Sequence, residues 1–145
     1  MAIAVDRERP NGAGIRLAVS TDRDIVAARA AGRDLARAAG FGITDQTRFA
    51  TAISELARNV VRHASDGSCA LLRDRLDAAT IRIRAVVEDN GPGIPDIALA
   101  MEDGYSTARG LGAGLPGTRR LMHEFAIESR PGHTKVSIGL TRRIG

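Results

Sequence analysis

Three short stretches restrict the fold of this 145-residue chain more than any other feature. They are Glu55-Leu56-Ala57-Arg58-Asn59, Asp89-Asn90-Gly91-Pro92-Gly93 and Gly110-Leu111-Gly112-Ala113-Gly114-Leu115. The first places a carboxylate and an amide four residues apart, the second follows a predicted strand, and the third is a glycine-rich loop before a predicted helix. Each stretch alone is a weak signal. Their order in so short a chain predicts a fold that brings a helix face, a strand end and a loop to one place.

The apolar pattern predicts the helices and strands around these stretches. Thr21-Asp22-Arg23-Asp24 fits a capping box before a first helix that Gly40 ends, and a second helix runs from Thr44 to about Ala64. Predicted strands cover 14–19, 69–72, 81–87, 125–129 and 134–140, with a hairpin loop over 74–79 and short helices at 97–102 and from Pro116. This order predicts one α+β domain over residues 1–145, with a mixed, mostly antiparallel sheet and its helices on one face.

Composition and apolar run lengths exclude membrane and disulfide-rich classes of protein. Hydrophobic residues make up 43% and charged residues 26% of the chain, which is typical of a soluble globular protein. No apolar run approaches the roughly 20 residues that span a bilayer, and residues 1–11 lack the apolar core of a signal peptide. A single cysteine, Cys69, excludes an internal disulfide and a cysteine-rich zinc site. We therefore expect a cytoplasmic protein with no membrane association.

The net charge of +4 raises the alternative of a basic nucleic-acid-binding domain. Its basic residues are scattered along the chain, and aromatic residues make up only 3% of it. Aromatic platforms on which bases stack are therefore scarce, so we expect no nucleic-acid partner. The alternative would predict salt-dependent binding of DNA or RNA.

Glu55 and Asn59 share one face of the predicted second helix, because they are four residues apart. Leu56 and Val60 occupy the neighbouring apolar stripe, which would place Glu55 at the boundary of the core, facing a cleft. A carboxylate there can act as a general base, and an amide oxygen can bind Mg²⁺. The alternative is an ordinary polar pair on a solvated helix face, and the pair taken alone favours that alternative.

Asp89 directly follows a predicted buried strand, where a carboxylate is costly unless it has a partner. The exocyclic amine of adenine is a suitable donor, and Gly91 and Gly93 would let a flat base approach the backbone. The alternative is a plain turn, since Asn-Gly is a common turn dipeptide. A loop stiffened by Pro92 and Pro95 is unusual for a plain turn, so the binding interpretation is favoured.

The glycine-rich third stretch matches the G-x-G-x-x-G dinucleotide pattern from Gly112 to Gly117. That pattern requires a strand immediately before the loop, and residues 103–109 do not predict one, so we reject this interpretation. The chain also lacks the P-loop sequence. The remaining use of such a loop is to cradle phosphate oxygens with amides at a helix N-terminus. The three stretches together therefore predict a site for ATP and Mg²⁺ that does not use a P-loop.

Taken together, these residues resemble the Bergerat-fold or GHKL ATP-binding families, which include gyrase B, Hsp90, histidine kinases and MutL. Glu55 and Asn59 match the N box, Asp89, Gly91 and Gly93 the G1 box, and Gly110, Gly112 and Gly114 the G2 box. Thr134 falls where these families often have a threonine near the adenine. The resemblance covers nearly the whole chain and implies a Bergerat-type two-layer sandwich.

Within those families the chain is similar to the small serine/threonine kinases of bacterial partner-switching systems, the RsbT and RsbW/SpoIIAB group. The stretches 52–59, 96–107 and 110–124 look most like the RsbT type. This implies an ATP- and Mg²⁺-dependent switch kinase that phosphorylates a serine or threonine of a STAS-domain protein. It also implies that Glu55 activates the acceptor hydroxyl, Asn59 binds Mg²⁺ and Asp89 contacts adenine. The loop through Leu115 would bind phosphates, and Arg109 matches a lid arginine near the γ-phosphate.

Two further functions stay open within the same fold. An anti-sigma factor that binds a sigma factor would use the same ATP-binding residues, although the RsbT-like third stretch argues against it. An ATP-bound activator of a PP2C-type phosphatase would not need Glu55, although activator and kinase roles can coexist.

Overall fold

The computed structural model describes residues 3–6, 13–102 and 114–144, which form two layers. The strands are β1 (Ile3–Asp6), β2 (Ala13–Val19), β3 (Gly67–Asp77), β4 (Thr80–Asp89), β5 (Glu124–Arg130) and β6 (His133–Arg143). The helices are α1 (Asp22–Ala38), α2 (Ile43–His63), α3 (Ile97–Ala100) and α4 (Gly114–Leu121). None of these helices combines the length and the apolar character that crossing a bilayer would require.

The strands form one sheet in the order β1-β2-β3-β4-β6-β5, and each neighbouring pair among them is antiparallel. Buried and partly exposed residues alternate along β4, where Ile81 and Ile83 are buried while Arg82 and Arg84 lie on the opposite face. The buried face packs against α1 and α2. The predicted α+β class, with an antiparallel-rich sheet and its helices on one side, is therefore confirmed.

The first helix begins at the predicted capping box. The Thr21 hydroxyl accepts a hydrogen bond from the Asp24 N–H, and the Asp24 carboxylate accepts hydrogen bonds from the N–H groups of Ser20 and Thr21. These backbone hydrogen bonds, the one from Ser20 first, hold the pKa of Asp24 below its usual range. The helix ends where predicted, because Gly40 adopts a φ of +84° that other residues rarely adopt.

Helix α2 is held against the sheet and α1 by its predicted apolar stripe, whose members are all buried: Phe49, Ile53, Leu56 and Val60. The two helices approach closely at Gly32 of α1, where an added Cβ would overlap the end of the Ile53 side chain. With the apolar stripe facing inward, the predicted pair Glu55 and Asn59 lies on the adjoining face of α2, and Glu55 lies against the start of α4.

Two parts of the sheet differ from the prediction. The predicted hairpin loop over 74–79 is wrong, because β3 continues to Asp77. Its charged residues form cross-strand pairs: the Asp74 carboxylate lies 2.7 Å from the Arg82 guanidinium and 3.5 Å from that of Arg84. The hydrogen bonds that Arg82 donates to Asp74 raise the pKa of Arg82. Strand β1 was not predicted, since its 4 residues are too few to show an alternating pattern.

Candidate active site

A cavity of about 140 Å³ opens between α2, the end of β4, the start of α4 and β6. Its lining residues are Leu56, Asn59, Val60, His63, Val87, Asp89, Pro92, Gly93, Ile94, Leu115, Thr134 and Val136. Most of them are apolar, and a few polar groups converge among them, which is the usual composition of a ligand site. Whole-ligand pockets measure roughly 300–1,000 Å³, so this cavity suits one planar part of a ligand.

A row of three polar residues crosses three strands beside the cavity, and two of them, Asp89 and Thr134, line it. Asp89 on β4 lies opposite Thr134 on β6, and Thr134 lies opposite Ser129 on β5. Asp89 follows the buried Val87 by two residues, so both side chains are on the helix-facing side of the sheet. The structure thus brings together Asp89 and Thr134, which the sequence places 45 residues apart.

The Asp89 carboxylate is only partly satisfied by the protein. Its Oδ1 accepts a hydrogen bond of 2.9 Å from the Gly91 N–H, which is the one hydrogen bond to this side chain within the described ranges. The loop is held in turn by the Gly132 N–H, which donates to the Gly91 carbonyl at 2.9 Å. Asp89 therefore keeps acceptor capacity for a donor that enters the cavity.

The glycines that follow Asp89 are required by the approach of the protein's own backbone. Gly93 has a φ of +86°, and a Cβ there would lie 2.6 Å from the Arg130 carbonyl oxygen. A Cβ on Gly91 would lie 2.9 Å from the His63 carbonyl oxygen. Of the two glycines, only Gly93 lines the cavity. The small size of both glycines therefore shapes the loop, and Gly93 leaves the cavity wall without a side chain at that point.

Glu55 lies on α2 about one turn before Asn59, roughly 6 Å along the helix axis, and outside the cavity wall. Its Oε1 accepts a hydrogen bond of 2.8 Å from the Arg58 guanidinium. The first residue of α4, Gly114, lies directly against it: a Cβ there would be 2.6–2.7 Å from the Cβ, Cγ and Oε2 of Glu55. The carboxylate therefore lies beside the N-terminus of α4, where amide groups favour negative charge.

Asn59 presents the feature that best fits a bound metal ion. Its Oδ1 is buried and has no hydrogen-bond partner among the residues that the structure describes. An amide oxygen is a ligand that Mg²⁺ accepts, and such sites are completed by water and by substrate phosphates. Within the same residues, no cluster of three or more histidine, cysteine or acidic side chains could hold a metal ion. The residues present therefore fit Mg²⁺ that arrives together with phosphate groups.

Of the third stretch, the structure describes only the last two residues, Gly114 and Leu115. Arg109, Gly110 and Gly112 lie outside the described residues. Gly114 begins α4 as predicted for a loop that leads into a helix, and Leu115 is buried in the cavity wall. The structure thus gathers Asn59, Asp89, Gly93, Leu115 and Thr134 around the cavity, with Glu55 and Gly114 in contact beside it and Gly91 behind the loop.

Sequence reasoning missed several residues of this region. Arg58 is three residues from Glu55, a spacing at which opposite charges meet on a helix, so its contact was detectable. The role of Ser129 could not be predicted, because its place opposite Thr134 depends on the register that the two-residue turn between β5 and β6 sets. His63, the last residue of α2, also lines the cavity.

Comparisons with known proteins agree with this geometry. Residues 18–140 match the histidine kinase-like ATPase domain family. The chain is 51% identical over 114 residues to the serine/threonine-protein kinase RsbT of Bacillus subtilis, which covers 79% of this chain and 85% of that protein. It is 30% identical over 98 residues to the anti-sigma F factor of Caldanaerobacter subterraneus subsp. tengcongensis, which covers 66% of this chain and 68% of that protein. The chain therefore belongs to the histidine kinase-like ATPase domain family.

Proposed function

We propose that this protein is a cytoplasmic switch kinase that uses ATP and Mg²⁺ to phosphorylate a serine or threonine of a STAS-domain protein. The predicted enzyme class, a serine/threonine protein kinase, is confirmed by the 51% identity to RsbT. The observation that carries the proposed mechanism is the buried Asn59 Oδ1, which has no hydrogen-bond partner among the described residues and lies between the cavity on one side and Glu55 on the other.

The cavity would hold the adenine base. Asp89 would accept a hydrogen bond from the exocyclic amine, and Thr134 would contact the base beside it, since the two residues are cross-strand neighbours. The apolar side chains of Leu56, Val87 and Leu115 would cover the faces of the ring. Guanine carries a carbonyl oxygen in place of the amine, so Asp89 would repel it, and we expect ATP to bind more tightly than GTP.

The phosphates would extend from the cavity along α2 toward Glu55. Asn59 would contribute its amide oxygen to Mg²⁺, which, when bound, neutralises charge that develops on the phosphates. The amides of the loop at Gly110, Gly112 and Gly114 would donate to phosphate oxygens, and Arg109 would approach the γ-phosphate. These roles follow from the resemblance of the third stretch and from the contact of Gly114 with Glu55.

Glu55 would act on the acceptor hydroxyl. It orients the serine or threonine and removes its proton, while the acceptor oxygen bonds to the γ-phosphorus and the bond from that phosphorus to the bridging oxygen of ADP breaks. Arg58, at 2.8 Å, holds the carboxylate in place on the helix. The proton ends on Glu55, and ADP and the phosphorylated protein leave.

The test is transfer of label from γ-labelled ATP with Mg²⁺ to the STAS-domain proteins encoded beside the gene. We expect label on one of them with the wild type and none with Glu55→Ala, while calorimetry shows that this variant still binds ATP. Glu128→Ala, which removes an exposed carboxylate from the helix-free face of β5, is the matched control and should transfer normally. Transfer by Glu55→Ala at the wild-type rate would refute the catalytic role.

An anti-sigma factor is the second candidate, because the chain is 30% identical to an anti-sigma F factor. It would bind a sigma factor with the same ATP site occupied. Tight binding of a sigma factor, together with ATP binding and no transfer to any STAS-domain protein, would favour this function over the switch kinase.

A further inference from the structure

Ser129 on β5 connects the loop after β4 to the wall of the cavity. Its Oγ accepts a hydrogen bond of 2.7 Å from the Ile94 N–H and lies 2.7 Å from the Thr134 Oγ1. Thr134 is 7% exposed and lines the cavity, as Ile94 does, whereas Ser129 does not line it. Ser129 can therefore affect a bound group only through these two neighbours.

The direction of the bond between the two hydroxyls decides what Thr134 presents to the cavity. A hydroxyl has one proton and two lone pairs, and the Ile94 N–H already uses one lone pair of Ser129. If Ser129 donates to Thr134, the Thr134 proton is free for an acceptor in the cavity. In the opposite direction, Ser129 accepts twice, and its own part-buried proton has no acceptor among the described residues, which is unfavourable. Either hydroxyl can donate in the absence of a ligand. With a ligand that accepts a hydrogen bond from Thr134, which lines the cavity, only the first direction gives both protons an acceptor.

This direction makes Thr134 a hydrogen-bond donor next to the acceptor Asp89. The two residues lie opposite each other on β6 and β4, so the cavity wall presents a donor and an acceptor side by side. Adenine presents the complementary pair, since its amine lies next to ring-nitrogen acceptors. Guanine has an acceptor where adenine has the amine. One fixed order of donor and acceptor in the cavity wall therefore cannot form hydrogen bonds with both bases.

We propose that Ser129 is a positioning residue that fixes the Thr134 hydroxyl as a donor and thereby sets the preference of the site for adenine over guanine nucleotides. The inference rests on the proposed function in one respect, namely that the base of a nucleotide lies in this cavity. Without the Ser129 proton, Thr134 can donate its own proton or offer a lone pair to either base. Loss of the hydrogen bond from Ile94 would instead loosen the loop and lower the affinity for both nucleotides equally.

The test measures the dissociation constants of ATP and GTP, each with Mg²⁺, by calorimetry on the full chain. In Ser129→Ala we expect the ratio of the GTP constant to the ATP constant to fall by roughly two- to tenfold, the worth of one hydrogen bond. Ser129→Thr keeps the hydroxyl and should keep the wild-type ratio. Ser137→Ala, which removes a hydroxyl on the helix-free face of β6, is the matched control. If Ser129→Ala does not fold, Ser129→Cys serves in its place, because a thiol is only a weak donor.

A double-mutant cycle tests the route through Thr134. In the Thr134→Val background, Ser129→Ala should no longer change the ratio, because no hydroxyl remains to be oriented. An equal loss of affinity for both nucleotides in Ser129→Ala, with the ratio unchanged, would overturn the proposal and leave Ser129 a purely structural residue. A change of the ratio that persists in the Thr134→Val background would also overturn it. A wild type that binds neither nucleotide would instead overturn the proposed function itself.

Discussion

Gly114 lies directly against Glu55, so one added methyl group there tests the placement of the carboxylate. In Gly114→Ala the new Cβ would lie 2.6–2.7 Å from three atoms of the Glu55 side chain, whereas ordinary contacts begin at 3.4 Å. Glu55 or the start of α4 must therefore move by roughly 0.8 Å, a typical result of overpacking. A misplacement of about 1 Å at a catalytic group can lower a rate by about 100-fold, or roughly 2.7 kcal/mol of barrier.

We therefore expect Gly114→Ala to lower phosphoryl transfer by about 100-fold in the γ-labelled ATP assay. ATP affinity should change by no more than about fivefold, roughly 1 kcal/mol, because neither Glu55 nor Gly114 lines the cavity proposed for the base, and alanine at 114 keeps the backbone N–H proposed to bind phosphate. The displaced group is thus expected to affect the chemical step more than binding, and calorimetry on the same samples separates the two.

Gly117→Ala is the matched control for this variant. It lies on the same helix, and an added Cβ there meets nothing within 4 Å. Alanine should stabilise the helix by about 0.5–1 kcal/mol and leave transfer unchanged. Equal transfer rates for the two variants would refute the reasoning, since they would show that the position of the Glu55 carboxylate against α4 does not matter for catalysis.

Three further predictions concern the metal, the sheet and the thiol. Asn59→Ala should lose most of the increase in ATP affinity that Mg²⁺ gives the wild type, and an unchanged increase in calorimetry with and without EDTA would contradict the assignment. Asp74→Ala removes the 2.7 Å partner of Arg82 and should lower the free energy of unfolding by about 1–3 kcal/mol in urea titrations, against a near-neutral Glu128→Ala. Burial raises the pKa of Cys69 to about 12, so thiol reagents at pH 8 should label it only after unfolding, and rapid labelling of the native protein would disprove this. Because the unfolded chain loses that proton first, the stability difference between wild type and Cys69→Ala should shift against the wild type as pH rises from 9 toward 12.

The parts of the fold that local pattern determines were predictable from the sequence. The stripe from Phe49 to Val60 fixed which face of α2 is buried, and so which face carries Glu55 and Asn59. The capping box at Thr21 and the glycine at 40 fixed both ends of α1. These features depend on residues within a few positions of each other, which a single sequence displays.

Features that depend on pairing between distant segments were not predictable. The charges at the end of β3 predict a loop, whereas in the structure Asp74 lies opposite Arg82 on the next strand and 3.5 Å from the Arg84 guanidinium. The contact of Ser129 with Thr134, and the place of Thr134 in the cavity wall, follow from the position of β6 between β4 and β5. No local pattern encodes that order. The family resemblance predicted a role for Thr134 near the adenine, but it predicted none for Ser129.

The relative placement of the site residues depends on Gly32, although this glycine contacts none of them. A side chain at this position would overlap the Cδ1 of Ile53, and the overlap is relieved by a new Ile53 rotamer in the packed core or by a shift of α2 away from α1. A shift of α2 would move Glu55 and Asn59 together relative to Asp89 on β4. A substitution at residue 32 is therefore expected to weaken nucleotide binding or transfer while every side chain of the proposed site is unchanged.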